Sequence, residues 1–251
     1  MHIFPFMHFL SSVDDAVVTY LNSFAQRSWT ADYLICAAVG SNLFKGVVVL
    51  TAFWWAWFRA PENRAEQEIR PPRDILLYTI LMCVPAVLIA RLMALYLPFR
   101  ARPIHNPALH LKLAFTLSPD TFHTWSSFPC DHAVLFFALA TGFFLISRRL
   151  GWLTFLFAAV CIMLPRVYVG IHYPSDVLAG ALLGVAVAST ARIVNLRRVV
   201  NWPAQHLLAY SPGLFYASLF LLSYLTAVLY EPLREMASSA PVVLHNLASR
   251  L

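Results

Sequence analysis

From Asp74 to Leu97 the chain reads DILLYTILMCVPAVLIARLMALYL, and Arg91 is its one interior charge. A run of roughly 20 apolar residues is what an α-helix needs to cross a hydrocarbon core of about 30 Å, because a backbone in lipid must satisfy its own hydrogen bonds. Comparable runs recur, and the spacing predicts spans at 31–58, 74–97, 132–147, 151–168, 173–192 and 212–230. With 60% of all residues hydrophobic and 12% charged, a soluble domain is excluded. The expected fold class is all-α: a polytopic membrane protein of six transmembrane helices, one domain over residues 1–251.

Residues 1–30 lack a basic start and a small-residue cleavage site, so they read as an interfacial segment rather than a removable signal. Within them, 12–28 alternate apolar and polar positions at helical spacing. The formal charge of +6 would suit nucleic acid in a soluble protein. Here the basic residues collect between spans: Arg59, Arg64, Arg70, Arg73, Arg148, Arg149, Arg192, Arg197 and Arg198 are nine of eighteen and lie in loops on one face. By the positive-inside rule that face is cytoplasmic. The opposite face then carries both termini and the 34-residue segment 98–131, an unusually long connection for a compact bundle. Within this segment, PALHLKLAF reads as a short amphipathic helix, and His105, His110 and His123 as loop residues near headgroups.

Four cysteines show no paired spacing for a metal or redox centre; Cys36, Cys83 and Cys161 lie in apolar runs, and Cys130 alone sits among polar residues. Lys45 interrupts the first span after GSNLF and reads as a lysine snorkelling from a bent helix.

Ionisable residues at span ends concentrate the chemistry. In PRVYVGIHYPSDVLAG, residues 165–180, His172 and Asp176 stand four apart, which places them on one face if the helix begins at or before His172. A carboxylate beside an imidazole fixes its tautomer and raises its basicity, and Arg166 suits phosphate oxygens. In SSFPCDHAV, residues 126–134, Ser126 or Ser127 is expected to cap a helix with Pro129 in its first turn. The amides of Cys130, Asp131 and His132 would then face an anion. In RLMALYLPFRARPIH, Arg102 precedes Pro103, Arg91 lies deep in the span, and Arg100 reads as a loop charge. Taken singly, each group also fits an ordinary interfacial ion pair or a dressed helix start.

In this order the three blocks resemble the type 2 phosphatidic acid phosphatase superfamily, whose pattern is Lys, six residues, Arg-Pro; then Pro-Ser-Gly-His; then Ser-Arg, five residues, His, three residues, Asp. The resemblance covers residues 91–180. It implies a membrane lipid phosphatase with His172 as nucleophile through a phosphohistidine, Asp176 orienting it, and His132 protonating the leaving group and then activating water. It also implies that Arg102 and Arg166 hold phosphate oxygens with help from Cys130 and Asp131, that no metal or other cofactor is used, and that a membrane lipid is the partner. Polyprenyl pyrophosphate and glycerolipid phosphate both remain open as substrates. The setting it suggests is a bacterial cytoplasmic membrane with the site facing outward. Four positions depart from the pattern: Leu95 for the lysine, Cys130 for serine, Asp131 for glycine and Pro165 for serine. Arg91, one turn before Leu95 on the same face, is expected to supply the missing charge. Phosphotransfer to another headgroup, and a non-catalytic lipid-binding or transport protein retaining the fold, stand as alternatives.

Overall fold

A computed structural model describes residues 3–59, 72–115, 117 and 125–231. Arg64, Arg70 and His123 lie outside the described residues. The described residues form helices and connecting turns without strands: α1 (Ile3–Asn22), α2 (Trp29–Gly40), α3 (Asn42–Phe58), α4 (Pro72–Tyr96), α5 (Asp131–Ile146), α6 (Arg148–Tyr168), α7 (Pro174–Ser189), α8 (Val194–Tyr210) and α9 (Pro212–Ala227). Three helices, α4, α6 and the helix from Pro174 to Arg192, are long and apolar enough to cross a membrane, and the bent pair α2–α3 raises the number to four. The apolar helices α5 and α9 are 16 residues each, so six complete spans do not follow from length alone.

At the centre, α5 packs against α4, α6 and α7. It is apolar around its whole circumference, with ten buried residues from Ala133 to Phe143, as a helix enclosed on all sides must be. Small residues set the α5–α7 distance. A Cβ on Gly184 would stand 2.2 Å from the Val134 carbonyl oxygen, and one on Gly180 would stand 2.4 Å from that of Cys130. Close backbone approach through glycine is how apolar helices pack where lipid offers no hydrophobic drive. Here it draws the start of α7 against the start of α5, so that the Cys130 amide donates to the Asp176 carbonyl at 3.1 Å.

Three sequence expectations change. The first apolar run breaks at Gly40–Ser41 by 64°, where the Ser41 hydroxyl accepts from the Phe44 amide at 3.1 Å. A glycine followed by a serine supplies a stop and a new N-cap. The connection 193–211 is the helix α8 rather than a loop. Its buried face carries Arg197 and Asn201, which bind the Ala191 and Asp74 carbonyls, while Val199 and Trp202 stay exposed. PALHLKLAF makes a single 3-10 turn, Pro107–Leu109, then runs extended, its end held by Asn22 of α1 on the Lys112 amide at 2.7 Å.

Alternating chain direction brings the break at 40–45, the end of α4, the start of α5, the turn between α6 and α7, and Glu231 to one end of the bundle. The candidate site is built there.

Candidate active site

The turn 169–173 carries His172. It does not lie on α7, whose N-cap is Tyr173, because Pro174 opens that helix and its ring disfavours the helical conformation in the residue before it. Gly170 makes the turn possible with φ of +74°, a conformation side-chain-bearing residues rarely adopt. Its carbonyl accepts from the Ile104 amide at 2.8 Å, and the Ile171 amide donates to the Arg166 carbonyl at 3.1 Å. His172 is thereby held rigidly and is 4% exposed.

The imidazole is oriented from two sides. Nδ1 donates to the Ser127 carbonyl at 2.9 Å, and the Asp176 carboxylate stands 3.8 Å from the same nitrogen. A carbonyl only accepts, so Nδ1 carries the proton and Nε2 is the working nitrogen. Nε2 faces Arg102 Nη1 at 3.5 Å, and Arg102 in turn donates to the Ile171 carbonyl at 2.8 Å. Asp176 is fixed by the Tyr173 amide at 2.8 Å and by Arg100 at 2.5 Å.

Arg100, expected to be a loop charge, is therefore a member of the site. It also donates to Ser175 Oγ at 2.8 Å and to Asp14 at 2.7 Å. Asp14 comes from α1, is 3% exposed, and accepts from the Ser175 amide at 2.9 Å. The interfacial helix thus reaches the nucleophile's support through Asp14, Arg100 and Asp176. A carboxylate among apolar residues of a surface helix is the sequence signal for this, visible once its neighbours are known.

Arg166 ends α6 just beyond a π-helical stretch, Ala158–Met163, which lets the helix absorb Pro165. Its guanidinium is 3% exposed and makes no hydrogen bond among the described residues, with Nε enclosed and unsatisfied. A buried guanidinium carries five donors and costs several kcal/mol to leave without an acceptor, on the order of what burying any single ion costs. Such a group is a standing site for an anion.

The start of α5 departs from expectation. Cys130, not a serine, is the N-cap and makes no side-chain capping bond, and Pro129 lies ahead of the helix. The Cys130 amide is taken by Asp176 and the His132 amide by the Asp131 carboxylate at 2.9 Å, so neither is turned outward to a ligand. Asp131 also holds His132 Nδ1 at 3.0 Å and pairs with Arg91, which lies over the Trp125 ring. This pairing is what makes a carboxylate tolerable beside an anion site. Leu95, where the family pattern has lysine, is 74% exposed. His132 Nε2 meets Asn42 Oδ1 at 3.3 Å, a neighbour the sequence did not announce.

Cys130, Asp131 and His172 offer ligand atoms within 4.8 Å of one another, a spacing a metal ion can bridge. Arg102 and Arg166 act on the same groups, and two cations favour an anion there over a third cation. Burial opposes the charged form of His172, yet the Cys130 sulfur and Asp176 outweigh it and raise its pKa from 6.5 to about 9. Burial likewise opposes the Cys130 thiolate, and His172 overcomes that and holds the thiol below its ordinary value. The two titrate as a pair. A nucleophilic imidazole must be neutral, so kcat/KM should rise with pH toward about 9. In Cys130→Ser the thiolate is gone, the His172 pKa falls, and the acid limb of the pH–rate profile moves to lower pH; an unmoved limb contradicts the coupling.

Residues 96–199 match the family model of the PAP2 superfamily. The bacitracin transport permease protein BcrC of Bacillus licheniformis is 33% identical over 117 residues, covering 45% of this chain and 52% of that protein. The undecaprenyl-diphosphatase of Sulfolobus acidocaldarius is 34% identical over 82 residues, 30% of this chain and 40% of that protein. The lipid A 1-phosphatase of Rhizobium johnstonii is 35% identical over 99 residues, 39% of each chain. The chain spans about half or less of the length of these relatives. No solved structure matches it.

Proposed function

We propose that this chain, whose residues 96–199 belong to the PAP2 superfamily, is a six-span integral membrane phosphatase that removes a terminal phosphate from a lipid phosphate or pyrophosphate. The observation that carries the reading is Arg166, a buried guanidinium with no acceptor among the described residues, with Arg102 close to it and facing Nε2 of His172. Similarity to an undecaprenyl-diphosphatase and a lipid A 1-phosphatase supports the substrate class.

In the proposed reaction Arg102 and Arg166 hold the equatorial oxygens of the phosphoryl group, with Cys130 lining their pocket and Arg91 neutralising Asp131. His172 Nε2 attacks phosphorus in line, the N–P bond forms, and the bond to the leaving oxygen breaks with its electron pair going to that oxygen. His132 gives that oxygen a proton. Water, deprotonated by His132, then attacks the phosphohistidine and releases phosphate with His172 restored. Asp176 stabilises the imidazole as positive charge develops on it, and the arginines supply the electrostatic stabilisation that phosphoryl transfer chiefly requires. The lipid tails remain in the bilayer, and the site faces outward, opposite the arginine-rich loops.

The test is release of phosphate by the purified protein in detergent with EDTA, from a panel of undecaprenyl pyrophosphate, phosphatidate, lysophosphatidate and phosphatidylglycerol phosphate. Turnover of at least one of them is expected, and silence on all of them contradicts the reading.

A further inference from the structure

The break between α2 and α3 lies outside the matched region 96–199 yet borders the candidate proton donor. Asn42 Nδ2 donates to Glu231 at 2.9 Å, which fixes the amide so that Oδ1 faces His132 Nε2. Nδ1 of that ring is engaged by Asp131 and Nε2 by Asn42, so a leaving oxygen that takes a proton from Nε2 takes the place of Asn42 Oδ1 as its partner.

Lys45 is three residues on in the same helix and so shares a face with Asn42. It is 1% exposed, which rules out snorkelling to water. Its ammonium makes one hydrogen bond among the described residues, to the Val39 carbonyl at 2.7 Å, leaving two N–H groups. The charges acting on it include Arg166, Asp131 and Glu231, and it acts in turn on His132. The same end of the bundle therefore carries a buried lysine beside the candidate acid, in addition to the buried Arg102 and Arg166.

The two substrate classes differ on that side. When a monoester is cleaved, the leaving alkoxide becomes a neutral alcohol once protonated. When a diphosphate is cleaved, the leaving group is itself a phosphate that stays anionic after taking a proton. A buried cation beside the acid gains an anionic ligand from the leaving group only in the second case.

We propose that the α2–α3 break is a subsite for the leaving phosphate of a lipid diphosphate, with Lys45 as its cation. This rests on the phosphatase reading above and adds a preference for diphosphates over monophosphates. This further cation of the site then comes from a broken helix, not from the family's position at Leu95.

Binding without turnover tests it separately from the phosphatase reading. Inorganic phosphate and the non-hydrolysable methylenediphosphonate are titrated onto purified wild type, K45M and K45R in detergent, with melting temperature recorded for each. Wild type is expected to hold the diphosphonate at least about tenfold more tightly than phosphate, K45M to lose that preference, and K45R to keep most of it. Equal affinities in wild type overturn the proposal even if K45M does not fold. So does an undiminished preference in folded K45M, the result for a lysine that only caps the Val39 carbonyl. Silence of the wild type on every substrate of the panel would sink the phosphatase reading, and hydrolysis by H172A the role of His172 as nucleophile, while either leaves these affinities as they are.

Discussion

His172→Ala is expected to lower kcat by at least about 10⁴-fold, the scale on which removal of a covalent nucleophile or its base acts in well-studied hydrolases. The expectation follows from geometry. Nδ1 is committed to the Ser127 carbonyl, so Nε2, presented toward Arg102, is the nitrogen left to attack. The substitution removes the bond to the Ser127 carbonyl and the contacts with Asp176 and Arg102 from a buried position, so stability is read beside activity. The check is phosphate release against the wild type's best substrate, with melting temperatures in parallel. A folded variant that retains a tenth of the activity would place the chemistry elsewhere.

Arg166→Met is expected to cost about 10² to 10³ in kcat/KM, the usual loss when one preorganised donor to the transition-state oxygens is removed. Arg166 has no acceptor to lose among the described residues, so the folded protein sheds a buried, unsatisfied cation and should melt no lower than wild type. Loss of activity with equal or higher stability is the signature of a group kept for its ligand. Arg166→Lys should recover part of the loss, since a lysine supplies charge without the bidentate fork. A clear fall in stability with unchanged kcat/KM would assign Arg166 to the fold instead.

Much of this site was legible in the sequence because its core residues sit at fixed spacings on short segments. Arg166, His172 and Asp176 span eleven residues and converge through one turn, and the spacing foretold the 3.8 Å approach of His172 and Asp176 although His172 sits ahead of the helix. The apolar runs foretold where helices form, since hydrocarbon tolerates little else. What the pattern could not carry were pairings across large separations. Asp14 reaches Arg100 over 86 residues, and Asn42 reaches His132 over 90. Lys45 looked like a snorkelling residue because the break at Gly40–Ser41 was read as a bend; a 64° turn moves its side chain from the lipid face into the bundle. The Cys130 amide was misread for a related reason: the N-cap rule says amides are available, while Gly180 decides that α7 comes close enough for Asp176 to take it.

The two helices brought together by Gly180 and Gly184 also explain why α1 and the α2–α3 break belong to the account. The matched region holds His172, His132, Arg102 and Arg166, while Asp14 bonds Arg100 and Asn42 meets Nε2 of His132 from outside it.

The central claim is that the phosphoryl group passes through His172. Rapid acid-free quenching of the enzyme with substrate labelled in its terminal phosphate, in EDTA, followed by proteolysis and mass spectrometry, locates the label directly. An alkali-stable, acid-labile phosphoryl group on the peptide containing His172, absent from His172→Ala, is the predicted result. Label on another residue, or turnover at full rate with no labelled protein at any quench time, would contradict it.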